Sequence, residues 1–162
     1  MKKPIILSII ATLAIGSVLT VAIGEQYTKF SSKFVKNFKD CDSYEETVSS
    51  EFENQKFTTH RKIYGWRNGS CLYEEVITSP KDQYKLLCTL NSMQVEELYS
   101  AMKKRSRAVD KYELEVFVPQ ETKSGATKYK VVGTQTIKGN PAYIAWAKIQ
   151  NNPYFCTPQK IK

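Results

Sequence analysis

From Phe57 to Leu90 apolar and polar residues alternate along the chain, and from Val95 to Met102 the apolar ones recur every three or four residues instead. Alternation is the pattern of a strand with one buried face, and the longer period that of an amphipathic helix. Asn68-Gly69 interrupts the alternation, and this dipeptide favours a two-residue hairpin because both central residues of a type I′ turn need positive φ. The turn predicts two strands that set Trp66 against Cys71, Tyr64 against Tyr73, Lys62 against Glu75 and His60 against Ile77. A reversal at Ser79-Pro80 adds a third strand, with Cys71 against Cys88, Leu72 against Leu87 and Glu74 against Lys85. The shared core face is then Tyr64, Trp66, Cys71, Tyr73, Ile77, Tyr84, Leu86, Cys88 and Leu90, with Arg61, Glu74, Lys85 and Thr89 on the other side. Asn91 or Ser92 caps the following helix, whose buried stripe is Val95, Leu98, Tyr99 and Met102. Glu96 and Glu97 lie near its start and Lys103, Lys104, Arg105 and Arg107 near its end, the order a helix dipole favours.

The flanks extend this pattern. Between Glu25 and Asp40, Tyr27, Phe30, Phe34 and Phe38 fall at helical spacing among lysines, which predicts a helix docked on the sheet by its aromatic face. Positions 40–53 carry six carboxylates and no basic residue, and without the glycine of a calcium loop they read as a solvated acidic loop or helix start. Lys111 to Val118 and Lys128 to Ile137 read as two further strands around a turn at Ser124-Gly125. Asn140-Pro141 opens a last helix running to Asn151, with Tyr143, Ile144, Trp146 and Ala147 inward and Pro153 as its stop. The predicted fold is therefore α+β: a small antiparallel sheet, made of a three-strand meander plus a further hairpin, covered by two or three amphipathic helices and stapled by disulfides.

The N-terminus changes the setting. Lys2-Lys3 precedes an uncharged apolar run from Pro4 to Gly24, the layout of a bacterial secretory signal peptide. Cleavage is expected before Glu25, which divides the chain into a leader, 1–24, and one exported domain, 25–162. The run is also close to the roughly 20 residues that span a bilayer, so retention of residues 5–23 as an inner-membrane anchor is the alternative. Either way the domain lies outside the cytoplasm, periplasmic or secreted. There the even set Cys41, Cys71, Cys88 and Cys156 is expected to form disulfides. The register above sets Cys71 opposite Cys88, but a bridge between directly opposed residues tends to be strained. Bonding each flank cysteine to a sheet cysteine would instead tie both flanks down, and this arrangement is favoured.

Charge narrows the class of partner. The whole chain carries 24 basic and 16 acidic residues, and removing Lys2 and Lys3 leaves a net +6. No acidic residue follows Glu121, whereas seven lysines do, among them Lys123, Lys128, Lys130 and Lys138. With Lys103, Lys104, Arg105 and Arg107 these define an expected surface for an anionic envelope polymer, a lipid surface or an acidic protein. Nucleic acid is not expected as a partner of an exported chain, and the membrane is expected only through an uncleaved N-terminus. No cofactor or metal site is expected, because His60 is the only histidine and the cysteines lack close ligand spacing. A catalytic constellation is not legible either. Ser100-Ala101-Met102-Lys103 matches S-x-x-K without its accompanying motifs, and the one acid–base pair the register offers is His60 with Glu75, which would make a small hydrolase. The expected function is thus a non-catalytic exported binding protein, with a membrane-tethered subunit of an envelope assembly as the alternative.

Overall fold

A computed structural model describes residues 30–52, 55–122 and 127–161. The leader, Tyr27, Lys123 and the Ser124-Gly125 turn lie outside the described residues. The elements in order are helix α1 (Ser32–Asp40), strands β1 (Tyr44–Phe52), β2 (Gln55–Arg67), β3 (Ser70–Thr78) and β4 (Gln83–Leu90), and helix α2 (Ser92–Lys104). Strands β5 (Asp110–Glu121) and β6 (Thr127–Gly139), helix α3 (Pro141–Gln150) and strand β7 (Cys156–Lys160) follow. The chain is α+β, with a five-stranded antiparallel sheet in the order β1-β2-β3-β4-β7 and a separate two-stranded hairpin, β5-β6. The second hairpin is thus no extension of the meander but an arm standing apart from it.

Local chemistry explains the helices. Asn91 accepts from the Gln94 amide while the Gln94 side chain accepts from the Asn91 amide, a reciprocal capping box at the start of α2. The Asn140 side chain caps α3, with proline in the first turn, and Ser31 caps α1. All three helices lay their apolar residues on one face of the five-stranded sheet. Phe34 and Phe38 of α1, Val95, Leu98 and Met102 of α2 and Trp146 of α3 share a core with Ile63, Cys71, Tyr73, Leu86, Cys88 and Leu90. Phe34, Phe38, Tyr73 and Trp146 meet there, Trp146 within 5.3 Å of Phe38 and 5.0 Å of Tyr73 between ring centroids.

Both strand registers differ from the sequence expectation, with opposite consequences. The β2–β3 turn is at Asn68 and Gly69, both at positive φ, and Trp66 faces Cys71. Beyond it a bulge leaves Tyr64 unpaired, so that Ile63 rather than Tyr64 faces Tyr73 and Arg61 rather than Lys62 faces Glu75. Gly65, at φ 97°, supplies the backbone conformation that permits it. A slip of one residue exchanges the faces. Ile63 and Arg61 are buried, Tyr64 is exposed, and Trp66, at the sheet's end, is exposed while its indole N–H donates to the Asp40 carbonyl at the end of α1. The β3–β4 loop is longer than the Ser79-Pro80 turn: Ser79 bonds across to Asp82, and Cys71 faces Leu90 while Tyr73 faces Cys88. That slip of two residues preserves both faces, and Lys85 still reaches Glu74 at 2.9 Å.

The acidic stretch expected as a loop is in part strand β1. Its register sets Glu45 against Lys62, Glu46 against Arg61 and Glu51 against Lys56, so the missing positive charges come from β2. The tail likewise adds β7 to the far edge of β4. The disulfides join Cys41 to Cys71 and Cys88 to Cys156, each flank to the sheet as favoured. Cys88 and Cys156 face each other directly in the register. The direct opposition that counted against Cys71–Cys88 is therefore accommodated here between β4 and β7. Two disulfides are the mark of a protein that matures in an oxidising, exported compartment.

Candidate functional site: the basic end of the molecule

Three features stand out, beginning with a polar cluster inside the fold. Arg61, Tyr73, Glu75 and Gln150 are 4%, 0%, 3% and 5% exposed. The Tyr73 hydroxyl donates to Glu75 Oε2 at 2.6 Å and Gln150 Nε2 donates to the same oxygen at 3.2 Å. Arg61 Nη1 donates to Glu46 Oε1 at 3.3 Å, its Nε lies 3.8 Å from Glu75 Oε2, and its guanidinium stacks on the Phe30 ring at 4.5 Å. Burial, and then the neighbouring Glu75, push the Tyr73 hydroxyl well above its ordinary range. Burial alone would lower Arg61, but Glu75, Tyr73 and Glu46 outweigh it and hold the guanidinium charged. Through these buried contacts the cluster ties β1, β2, β3 and α3 together.

His60 stands apart from it. Its Nδ1 lies 3.0 Å from Thr47 Oγ1 and its Nε2 lies 3.9 Å from Glu45, and it faces Val76 on the open side of the sheet. The pairing of His60 with Glu75 is therefore corrected: the bulge at Tyr64 puts them on opposite faces. Ser100, of the S-x-x-K match, bonds to Glu96 rather than to Lys103. Among the described residues no three His, Cys, Asp or Glu side chains gather as a metal-binding set.

The basic residues form the second grouping, and the structure divides them. Lys103 and Lys104 occupy the last turn of α2, Arg105 is its C-cap, and Arg107 is in the link to β5. Lys138 is at the far end of β6, directly opposite Lys111 of β5. Lys104 and Lys111 line one hollow of about 420 Å³ together with Asp110 and Pro141, so the end of α2 and the base of the arm meet there. Arg105 Nη2 donates to Ser32 Oγ at 2.7 Å, which brings the start of α1, with exposed Lys33, to the same end. Lys128 and Lys130 do not belong to it. At about 3.3 Å per residue, Lys130 is some 26 Å along β6 from Lys138. Sequence order joins these lysines, and the length of the arm separates them.

Like Lys128 and Lys130, most cations of this end sit in no ion pair among the described residues, and what sets the end apart is that they come together from α2 and both strands of the arm. Lys62, Lys85, Lys148 and Arg61 all sit in ion pairs. Lys104, Arg107, Lys111 and Lys138 sit in none among the described residues, and neither Asp110 nor Glu113, the acids closest in register, pairs with them. Lys103 rests over the Tyr99 ring at 5.6 Å. The helix dipole favours Lys103 and Lys104 where they are. It does not account for Lys111 facing Lys138, since like charges directly opposite across a strand pair are destabilising. Sequence reading recognises both strands of the arm but overlooks Lys111, because only the register of β5 on β6 brings it to Lys138.

The third feature is a groove of about 670 Å³ between β5 and the helices, floored by Leu114 and Ile149 and bordered by Met93, Phe117 and Phe155. Lys148 closes one side of it, bonded to Glu97 at 2.9 Å and set 5.4 Å from the Tyr112 ring centre, and the Glu97 bond raises its pKa. The chain matches no family model, no curated protein and no solved structure.

Proposed function

We propose that this chain is an exported binding protein without catalytic activity, and that its basic end receives an anionic partner of the cell envelope. The observation that carries the proposal is the Lys111–Lys138 pair. These two exposed cations face each other in register, Lys111 lines one hollow with Lys104 and Asp110, and among the described residues no acid is bonded to any of the three lysines. Such an arrangement stores repulsion that an anionic partner relieves. The test exploits the split between the two groups of lysines. On a column of an anionic polymer such as dextran sulfate, Lys111→Ala with Lys138→Ala should lower the salt needed for elution markedly. Lys128→Ala with Lys130→Ala, which removes the same charge from the distal arm, should lower it little. Equal shifts for the two pairs would mean that net charge alone acts, and would overturn the assignment.

A second reading, a membrane-tethered subunit of an envelope assembly, is favoured by the Ser32–Arg105 bond, because it sets the start of α1 at the basic end. Among the described residues no helix is long and apolar enough to cross a membrane, so a tether would be the N-terminal apolar run. An intact mass beginning at Glu25 would remove this reading, and one retaining Met1 would favour it.

A further inference from the structure

We infer that the anionic partner of the basic end is a phospholipid surface, met with the start of α1 turned toward it. This rests on the assignment of the basic end made above. Breadth is the first argument. The cations come from separate elements, the first turn of α1, the last turn and cap of α2, and both strands at the base of the arm. A single small anion fills one hollow, whereas an array of headgroup phosphates meets all of these at once.

The second argument is where the acids are. Glu46 is the carboxylate nearest the start of α1, and it is engaged by Ser31 and Arg61. Glu97, which also lines the hollow, is engaged by Lys148. Of the two acids that line the hollow, only Asp110 is left without a bonded cation. The exposed acids of α2, Glu96 and Glu97, belong to its first half, away from Lys103 and Lys104.

The third argument is chain length. Five residues separate Gly24, the end of the apolar run, from Phe30. Fully extended they reach about 20 Å. A bilayer that holds the run therefore lies within about 20 Å of Phe30, just before Ser32, to which Arg105 of the basic end is bonded. A polymer or a soluble partner explains the charge as well, but gives no reason for it to gather where the N-terminal segment joins the domain.

The experiment is vesicle sedimentation with protein purified from the exported fraction, comparing phosphatidylcholine vesicles with vesicles that also contain phosphatidylglycerol, at low and at high salt. The difference between the two lipids isolates the charge contribution from any apolar anchor. Phosphatidylglycerol should strengthen binding at least 100-fold at low salt, and high salt should abolish the gain. At about fivefold per cation near an anionic surface, Lys111→Ala with Lys138→Ala should weaken the gain about 25-fold. Lys128→Ala with Lys130→Ala should leave most of it. If dextran sulfate binding depends on Lys111 and Lys138 while phosphatidylglycerol adds nothing, the lipid inference fails and the basic end stands. If neither ligand distinguishes the two pairs, both fail.

Discussion

Strands β3 and β6 belong to the same chain, each with an antiparallel neighbour, yet they live in different surroundings. Every second residue of β3 from Cys71 to Ile77 is buried, whereas β6 is exposed from Lys130 to Thr136 and buried only at Ile137 and Gly139. The difference lies less in the strands than in what covers them. Helices α1, α2 and α3 lie over β3 and its neighbours, but the arm is held mainly at its base, where Leu114 and Ile137 pack on Tyr143 and Ala147. Farther out, Tyr129 meets Tyr154 and the Asn151 side chain donates to the Glu115 carbonyl. A lone two-stranded ribbon is marginal in water. The sheet is thus the rigid body and the arm a lightly anchored extension that sets Lys111 and Lys138 at its root.

The strongest way to break that comparison acts on the sheet. Replacing Cys88 and Cys156 together by serine opens a bridge spanning 68 residues. Chain entropy predicts a loss of about 4 kcal/mol, read by denaturant unfolding. Because that bridge encloses the arm in sequence, an effect confined to the arm's amides would mean that the sheet does not depend on it. Next in size is Leu114→Ala. It removes about half of the arm's small core and should destabilise it by about 2 kcal/mol. Exchange of amides in β5 and β6 should rise about 30-fold, with β3 and β4 unchanged. Equal acceleration in β3 would show one cooperative unit and dissolve the distinction.

The smallest effect concerns the buried cluster. Tyr73→Phe deletes the bond to Glu75 and should cost about 1 to 2 kcal/mol near neutrality. It should also change the alkaline limit. Burial and Glu75 raise Tyr73 well above its usual 10, so the unfolded tyrosine ionises first as pH rises. Its contribution is fully present below pH 10 and is lost above it. Wild type should therefore lose stability more steeply than the phenylalanine variant above pH 10. Parallel decline would assign the alkaline limit to other groups.

Much of the fold was legible because its signals are local. Asn68-Gly69 needs only its own two φ angles, Asn91 and Asn140 cap helices whose first amides are three residues away, and Phe34 and Phe38 show their period within one helix. The cysteines were legible as a set and as flank-to-sheet staples, but which flank cysteine joins which sheet cysteine came only from the structure. Strand β1 was not legible, since its glutamates are matched by lysines and an arginine that lie beyond it in sequence. The basic end was half legible. Charge alone singles out Lys103, Lys104, Arg105, Arg107 and Lys138, but it singles out Lys128 and Lys130 equally, and it gives Lys111 no distinction from any other strand lysine.

By itself the sequence determined the three helices, strands β2 to β6, the Asn68-Gly69 turn, the Asn140 cap and the cations available for binding, because each depends on a few neighbouring residues. Tertiary structure alone decided that a bulge at Tyr64 sends Arg61 inward to Glu75 and leaves His60 outside, that β1 and β7 complete the sheet, and that β5 and β6 leave it. A one-residue slip reverses every side chain beyond it. Which slip is adopted depends on the summed packing of three helices against the sheet, a quantity that no local window contains.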